Sequence, residues 1–147
     1  VIRSFTHRRM DEPEKHVSRL AALQAYEMAG LGPEDMDVVE VHDASAMGEI
    51  IQAENLGLVP LGGGGPAAER GEFTLGGRTP INPSGGLESK GHPLGATGIG
   101  QLYELVTQLR GEAGARQVEG ARHAIQENGG GLQGIEEAAV AVHILSR

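Results

Sequence analysis

Glycine restricts this chain more than any other residue. It fills 24 of the 147 positions, where an average protein of this length holds roughly ten, and it gathers at 62–65, 85–100 and 129–131. A residue without a Cβ is entropically costly to fix, so clusters of it belong where the backbone takes positive φ or passes close to a neighbour. The aromatic residues that fill most cores are nearly absent: only Phe5, Tyr26, Phe73 and Tyr103, with no Trp. The chain must therefore fold around an aliphatic core, with glycine-built loops between its elements. Hydrophobic residues at 39% and charged ones at 22% are those of a folded domain rather than a disordered tail, and residues 1–147 are read as one domain.

The period of the apolar residues changes along the chain. Asp11 with Pro13 marks a helix start, and Val17, Leu20, Ala21, Ala25 and Met28 recur at helical spacing up to Gly30 and the Gly32-Pro33 break. The β-branched run Val38–Val41 predicts a buried strand that ends at His42-Asp43. Ala46, Ile50, Ala53 and Leu56 define a second helix, with Asp43 or Ser45 as its N-cap and Gly57 as its stop. Residues 58–77 show no apolar period and read as a long Gly-rich loop reaching to about 80. From Thr97 a third helix is expected, with Leu102, Leu105, Val106 and Leu109 facing inward and Gly111 at its end. A segment at Ala121–Ile125, a glycine turn at 129–131 and a last strand over 138–145 close the chain. Helices alternating with strands predict an α/β sheet with helices packed on its faces, the last two strands pairing antiparallel.

Composition excludes several functions. A formal charge of −8 argues against a general nucleic-acid binder. No apolar run reaches the ~20 residues that span a bilayer. The complete lack of cysteine removes disulfides, thiolate metal sites and a cysteine nucleophile supplied by this chain. No spacing of His, Cys or carboxylates points to a metal, and neither Gly62–Gly65 nor Gly95–Gly100 satisfies a phosphate-loop or dinucleotide pattern. Val1 reads as a cut edge, and with no signal-peptide pattern the expected location is cytoplasmic.

Of the six histidines, His7 and His16 read as solvated surface residues, and His123 and His143 as structural members of strands. His42 stands apart because a strand end leading into a helix is where α/β sheets present functional groups; the plainer reading makes His42-Asp43 a helix cap. His92 lies in Gly91-His92-Pro93. The proline biases it toward an extended backbone and the glycine clears its approach, which suits an aimed general base. Lys90 is read as exposed, with neutralisation of an anionic substrate as the alternative.

Three runs, in order, carry a family likeness: Val39-Glu40-Val41-His42-Asp43-Ala44-Ser45; Asn82-Pro83-Ser84-Gly85-Gly86-Leu87 through Gly91-His92-Pro93-Leu94-Gly95-Ala96-Thr97-Gly98; and Asn128-Gly129-Gly130-Gly131. Together they resemble the C-terminal half of a thiolase, in the branch of sterol-carrier-protein-type and archaeal acetyl-CoA acetyltransferase enzymes, and the likeness covers nearly the whole chain. It implies a five-stranded mixed sheet with helices on both faces. It also implies Claisen condensation or thiolytic cleavage of acyl-CoA, with a coenzyme A thioester as substrate and no permanently bound cofactor or metal.

In that likeness His92 deprotonates a nucleophilic cysteine on a missing N-terminal half, and His92 with His42 holds the thioester oxygen of the second acyl-CoA. Gly130 contributes a backbone N–H to a second oxyanion hole. The resemblance further implies that the chain needs the N-terminal half, in the same or a separate chain, that it is inactive alone, and that it forms homo-oligomers. A zinc-ribbon/OB-fold partner belongs to an alternative, a thiolase-like aldolase; a non-catalytic lipid- or acyl-CoA-binding module is another. The departures lie at the acid/base position, where Asn128, or Glu127 if the three glycines are aligned instead, replaces a cysteine. Ser45 stands where an aromatic residue is usual, which would widen the acyl pocket.

Overall fold

A computed structural model describes all of residues 1–147. The order of elements is β1 (Ile2–Ser4), α1 (Val17–Ala29), β2 (Val38–Glu40), α2 (Ala46–Asn55), α3 (Gly64–Glu69), α4 (Gly86–Lys90), α5 (Thr97–Arg110), β3 (His123–Gln133) and β4 (Glu136–Ser146). The strands form one mixed sheet in the order β1-β4-β3-β2. β2 runs parallel to β3, and the other pairs are antiparallel.

The sheet has four strands where five were expected. The place of a fifth, beside β2, holds a single parallel bridge between Val39 and Ile81. Val39 N–H donates to Pro80 O at 3.0 Å and Asn82 N–H to Val39 O at 2.8 Å. Beyond that the ladder stops, because Pro80 and Pro83 have no N–H to donate and Asn82 turns away at φ 50°.

Alternation along the strands sorts side chains onto two unequal faces. Val39, Val41, Ile125, Val140 and Val142 meet Val17, Ala21 and Ala25 of α1 and Ala53 of α2, together with Leu56, in a core of 18 buried residues. On the opposite face Val38 and Ala124 join Leu105, Leu109 and Ala121 in a cluster of only five. The alanines of α1 let it lie close on β4, and α5 crosses β3 and β2 on the other side.

Several sequence expectations shift. α1 begins at Val17 rather than Asp11, after a 3-10 turn at Pro13–Lys15. His16 caps it: Nδ1 accepts from Ser18 N–H at 3.2 Å, so this histidine is buried rather than solvated. Met28, in phase with the apolar stripe, is 74% exposed in the last turn of α1. The loop over 58–77 contains the short helix α3. In α5 the buried face is largely polar: Gln101, Glu104 and Gln108 go inward beside Leu105 and Leu109, while Leu102 and Val106 are half-buried. Burial of those amides is tolerable because they are bonded. Gln108 Nε2 donates to Arg116 O at 2.7 Å, its Oε1 accepts from Val118 N–H at 2.8 Å, and the Arg116 guanidinium grips Glu104. The expected turn at 129–131 is instead the interior of β3; the reversal falls at Gly134-Ile135, between the paired Gln133 and Glu136. Glycine at 129 answers to crowding, since a Cβ there would lie 2.5 Å from Glu137 Cγ.

Candidate active site

His42 is placed by what happens to the chain just after β2. Val41 N–H leaves the sheet to bond Asn82 Oδ1 at 2.8 Å, and His42 N–H donates to Glu127 Oε2 of β3 at 3.2 Å. Asp43 does not cap α2. Ser45 does, accepting from Gly48 N–H at 3.1 Å, while Asp43 Oδ1 accepts from Leu87 N–H at 2.7 Å, in the first turn of α4. The link demands a glycine at position 86, which sits at φ 60° and whose added Cβ would collide with the Asp43 carboxylate. α4 thereby starts against the end of β2 and delivers Gly91-His92-Pro93 next to His42.

His42 Nε2 lies 3.4 Å from His92 Nε2, the rings edge-on with centroids 4.9 Å apart. His92 Nδ1 is 2.7 Å from Thr97 Oγ1, and that hydroxyl in turn reaches Pro93 O at 3.3 Å. A threonine hydroxyl has one proton to give. Given to Pro93 O, it leaves the oxygen to accept from His92 Nδ1–H, so His92 Nε2 carries a lone pair toward the cavity and His42 supplies the N–H between the rings. Burial, reinforced by His92, holds His42 below the ordinary histidine range, against the opposing pull of Glu137 and Asp43, which keeps it neutral near pH 7.

The two imidazoles open onto a cavity of about 380 Å³. Asn128 and Gly130 line it too, so the four residues singled out in the sequence share one space. Leu94, Ile99 and Leu102 form an apolar wall. Glu127, the alternative to Asn128, faces the other side of β3. Its fully buried carboxyl binds Ser18 O–H at 3.3 Å and His42 N–H, and burial, with Glu137 nearby, pushes it up to about 8 against those two donors. Alternation along β3 thus selects Asn128 as the residue in the cavity. Ser45 does not line it, and Lys90, exposed as expected, donates to Ser84 Oγ.

The cavity also contains His143, which the sequence reading left as structural. Gln101 Nε2 donates to Glu127 O, Gln126 Nε2 to Gln101 Oε1, and Gln126 Oε1 therefore faces His143 Nδ1 at 2.7 Å as an acceptor. That polarity puts the His143 proton on Nδ1. Its signal in the sequence is the two-residue spacing from Ala141, which lines the same cavity. No three His, Cys, Asp or Glu side chains gather as metal ligands.

A layered α/β domain whose site joins a strand end, a Gly-His-Pro turn and a glycine-rich strand has the thiolase-like fold. The chain belongs to the Thiolase C-terminal domain-like family, whose model matches residues 2–147. It is 57% identical over 112 residues to sterol carrier protein 2 of Rattus norvegicus, covering 76% of this chain and 20% of that protein. It is 50% identical over 141 residues to the acetyl-CoA acetyltransferase of Methanothermobacter thermautotrophicus, covering 96% of this chain and 36% of that one. The benzoylsuccinyl-CoA thiolase subunit BbsB of Thauera aromatica is 40% identical over 121 residues, covering 81% and 31%. The chain thus spans between a fifth and somewhat over a third of these relatives. Among solved structures, the Ltp2-ChsH2(DUF35) aldolase superposes with a TM-score of 0.74 at 22% identity over 88% of this chain and 31% of that one. Human mitochondrial 3-ketoacyl-CoA thiolase superposes at 0.59 with 24% identity over 99% and 28%. These two likenesses are of fold. No helix is long and apolar enough to cross a membrane.

Proposed function

We propose that this chain is the C-terminal half of an acyl-CoA acyltransferase of thiolase type, supplying His92, His42, Asn128 and Gly130 to a cysteine carried on an N-terminal half. The observation that carries the reading is the 3.4 Å approach of the two Nε2 atoms at the mouth of a glycine-walled cavity, in a chain with no thiol of its own. The names of the acetyl-CoA acetyltransferase and BbsB relatives support acyl-CoA as the substrate class.

His92 Nε2 takes the proton of the incoming thiol. The thiolate attacks the thioester carbon, and the departing coenzyme A sulfur receives that proton back. In the second half-reaction charge develops on the thioester oxygen of the second acyl-CoA. His42 Nε2–H donates to it from the start, and His92 Nε2, a lone pair again once coenzyme A has left, joins as a donor only after taking up a proton. Gly130 N–H serves the oxygen of the acyl-enzyme. An amide at position 128 cannot accept a proton, so the α-proton passes to an imidazole of the pair, and Asn128 is left to hydrogen-bond substrate.

That amide is also what favours a second reading, an aldolase or an acyl-CoA-binding module with the same fold. The two are separated in the complete protein. Acyl transfer predicts that His42→Ala lowers condensation more than acylation of the cysteine. Equal loss of both would count against this division of labour between the histidines, and a complete protein without acyl transfer would favour the second reading. The 147-residue chain alone is expected to leave acetoacetyl-CoA uncleaved.

A further inference from the structure

Glu40 and Lys90 stand in matching places, each two residues before one of the paired imidazoles. Glu40 is buried with no side-chain exposure, and both of its oxygens are used as acceptors: Oε1 from Ser84 N–H at 3.1 Å, Oε2 from Ser84 O–H at 2.8 Å. The Lys90 ammonium donates to the same Ser84 oxygen and lies 3.8 Å from Glu40 Oε2, while Gly86 N–H approaches that oxygen at 3.3 Å. A serine hydroxyl offers one proton and two lone pairs, and here all three are committed. The geometry matches an ionised Glu40 with Lys90 as its countercharge; burial pushes the carboxyl up to about 7, against the opposing pull of Lys90 and the two Ser84 donors. Removing Lys90 leaves the buried Glu40 carboxylate without its countercharge. Lys90 is the last residue of α4, and Gly91 at φ 86° swings the chain directly into His92.

We propose that Glu40, Ser84 and Lys90 form a clamp that sets the spacing of His42 and His92, by tying the strand end that carries one imidazole to the turn that carries the other. None of the three lines the cavity, so they are positioning residues. The catalytic consequence rests on the acyltransfer reading; the geometric one does not.

The test is made in the complete protein with Lys90→Met, which keeps the stem and removes the charge. Crystal structures of the parent and the variant should show the two Nε2 atoms moved beyond hydrogen-bond distance. Turnover should show kcat lowered about tenfold with KM for acyl-CoA within about twofold, as misplacement of reacting groups implies. Lys90→Arg should recover most of the loss. If Lys90→Met does not fold, Ser84→Ala, which retains both charges, should produce the same widening. An unchanged separation of the imidazoles in the folded variant overturns the clamp. A parent protein with no acyl transfer refutes the proposed function instead, and the clamp is then decided by the separation alone.

Discussion

The two faces of the sheet are built by different rules. Toward α1 and α2, 18 buried apolar residues pack around a smaller polar set that includes Ser18, Gln52, Asn55 and Glu127. Toward α5 only five do, and the rest of the interior is Glu40, Gln101, Glu104, Gln108 and Gln126, each held by hydrogen bonds. Ile99 and Tyr103 on α5 and Leu94 just before it are 69, 72 and 85% exposed. The first face carries the folding free energy. The second holds directional polar groups and an open apolar wall, which is what a site needs if a second body is to complete it. One strand serves both: β3 sends Ile125 and Glu127 to the packed face, and Gln126 and Asn128 to the cavity.

The sharpest way to break this contrast is to mutate each face and read both properties. His92→Ala should abolish acylation of the complete protein while changing stability by no more than about 0.5 kcal/mol, because His92 is exposed. A large loss of stability in urea unfolding would mean that the α5 face also carries the fold. Leu56→Ala on the packed face should do the reverse, costing about 2–5 kcal/mol in the same assay with the chemistry spared in whatever fraction folds. Gly86→Ala crosses the two. It meets both a positive φ and the Asp43 carboxylate, so about 1–3 kcal/mol of strain should appear together with lower turnover as α4 shifts.

The smallest effect concerns Glu127, behind His42. Its carboxyl is pushed up to about 8, so the folded chain retains a proton that the unfolded chain has already released. Stability therefore falls as pH rises toward 8, by at most about 1.4 kcal/mol per pH unit. His16 and His42, both held below the ordinary histidine range chiefly by burial, act with the opposite sign, but only below about pH 6.5. Glu40, lifted by burial to about 7, adds a decline of the same sign that levels off above pH 7. Between pH 7 and 8 the remaining decline should therefore be visible by denaturant titration and should flatten in Glu127→Gln. A decline of unchanged slope would remove Glu127 as its source.

Much of this contrast is legible in the sequence, and unevenly. The packed face is partly legible through period. β2 is a buried strand as expected, and α2 is helical, but of its four apolar marks only Ala53 and Leu56 are buried, and Gln52 and Asn55 go inward beside them. The site face is not legible in this way. Leu102 and Val106 were expected inward in α5, yet Gln101, Glu104 and Gln108 take the interior positions, since hydrogen bonds to Arg116, Val118 and β3 outweigh the hydrophobic stripe. His16 looks like a surface residue until Ser18 N–H and Glu137 are found around it. The His42–His92 pairing was reachable through the family motifs alone, because 50 residues separate the two rings and no local pattern records that distance. His143 and the Lys90–Ser84–Glu40 clamp are tertiary in the same sense.

On the proposed function, His92 activates a thiol supplied from outside residues 1–147. The most direct measurement is mass spectrometry of the complete protein after exposure to acetyl-CoA, with peptide mapping. One acetylated cysteine outside this segment is expected in the parent protein and none in His92→Ala. Acetylation that persists undiminished in His92→Ala, or a parent protein that acquires no acetyl group, would contradict it.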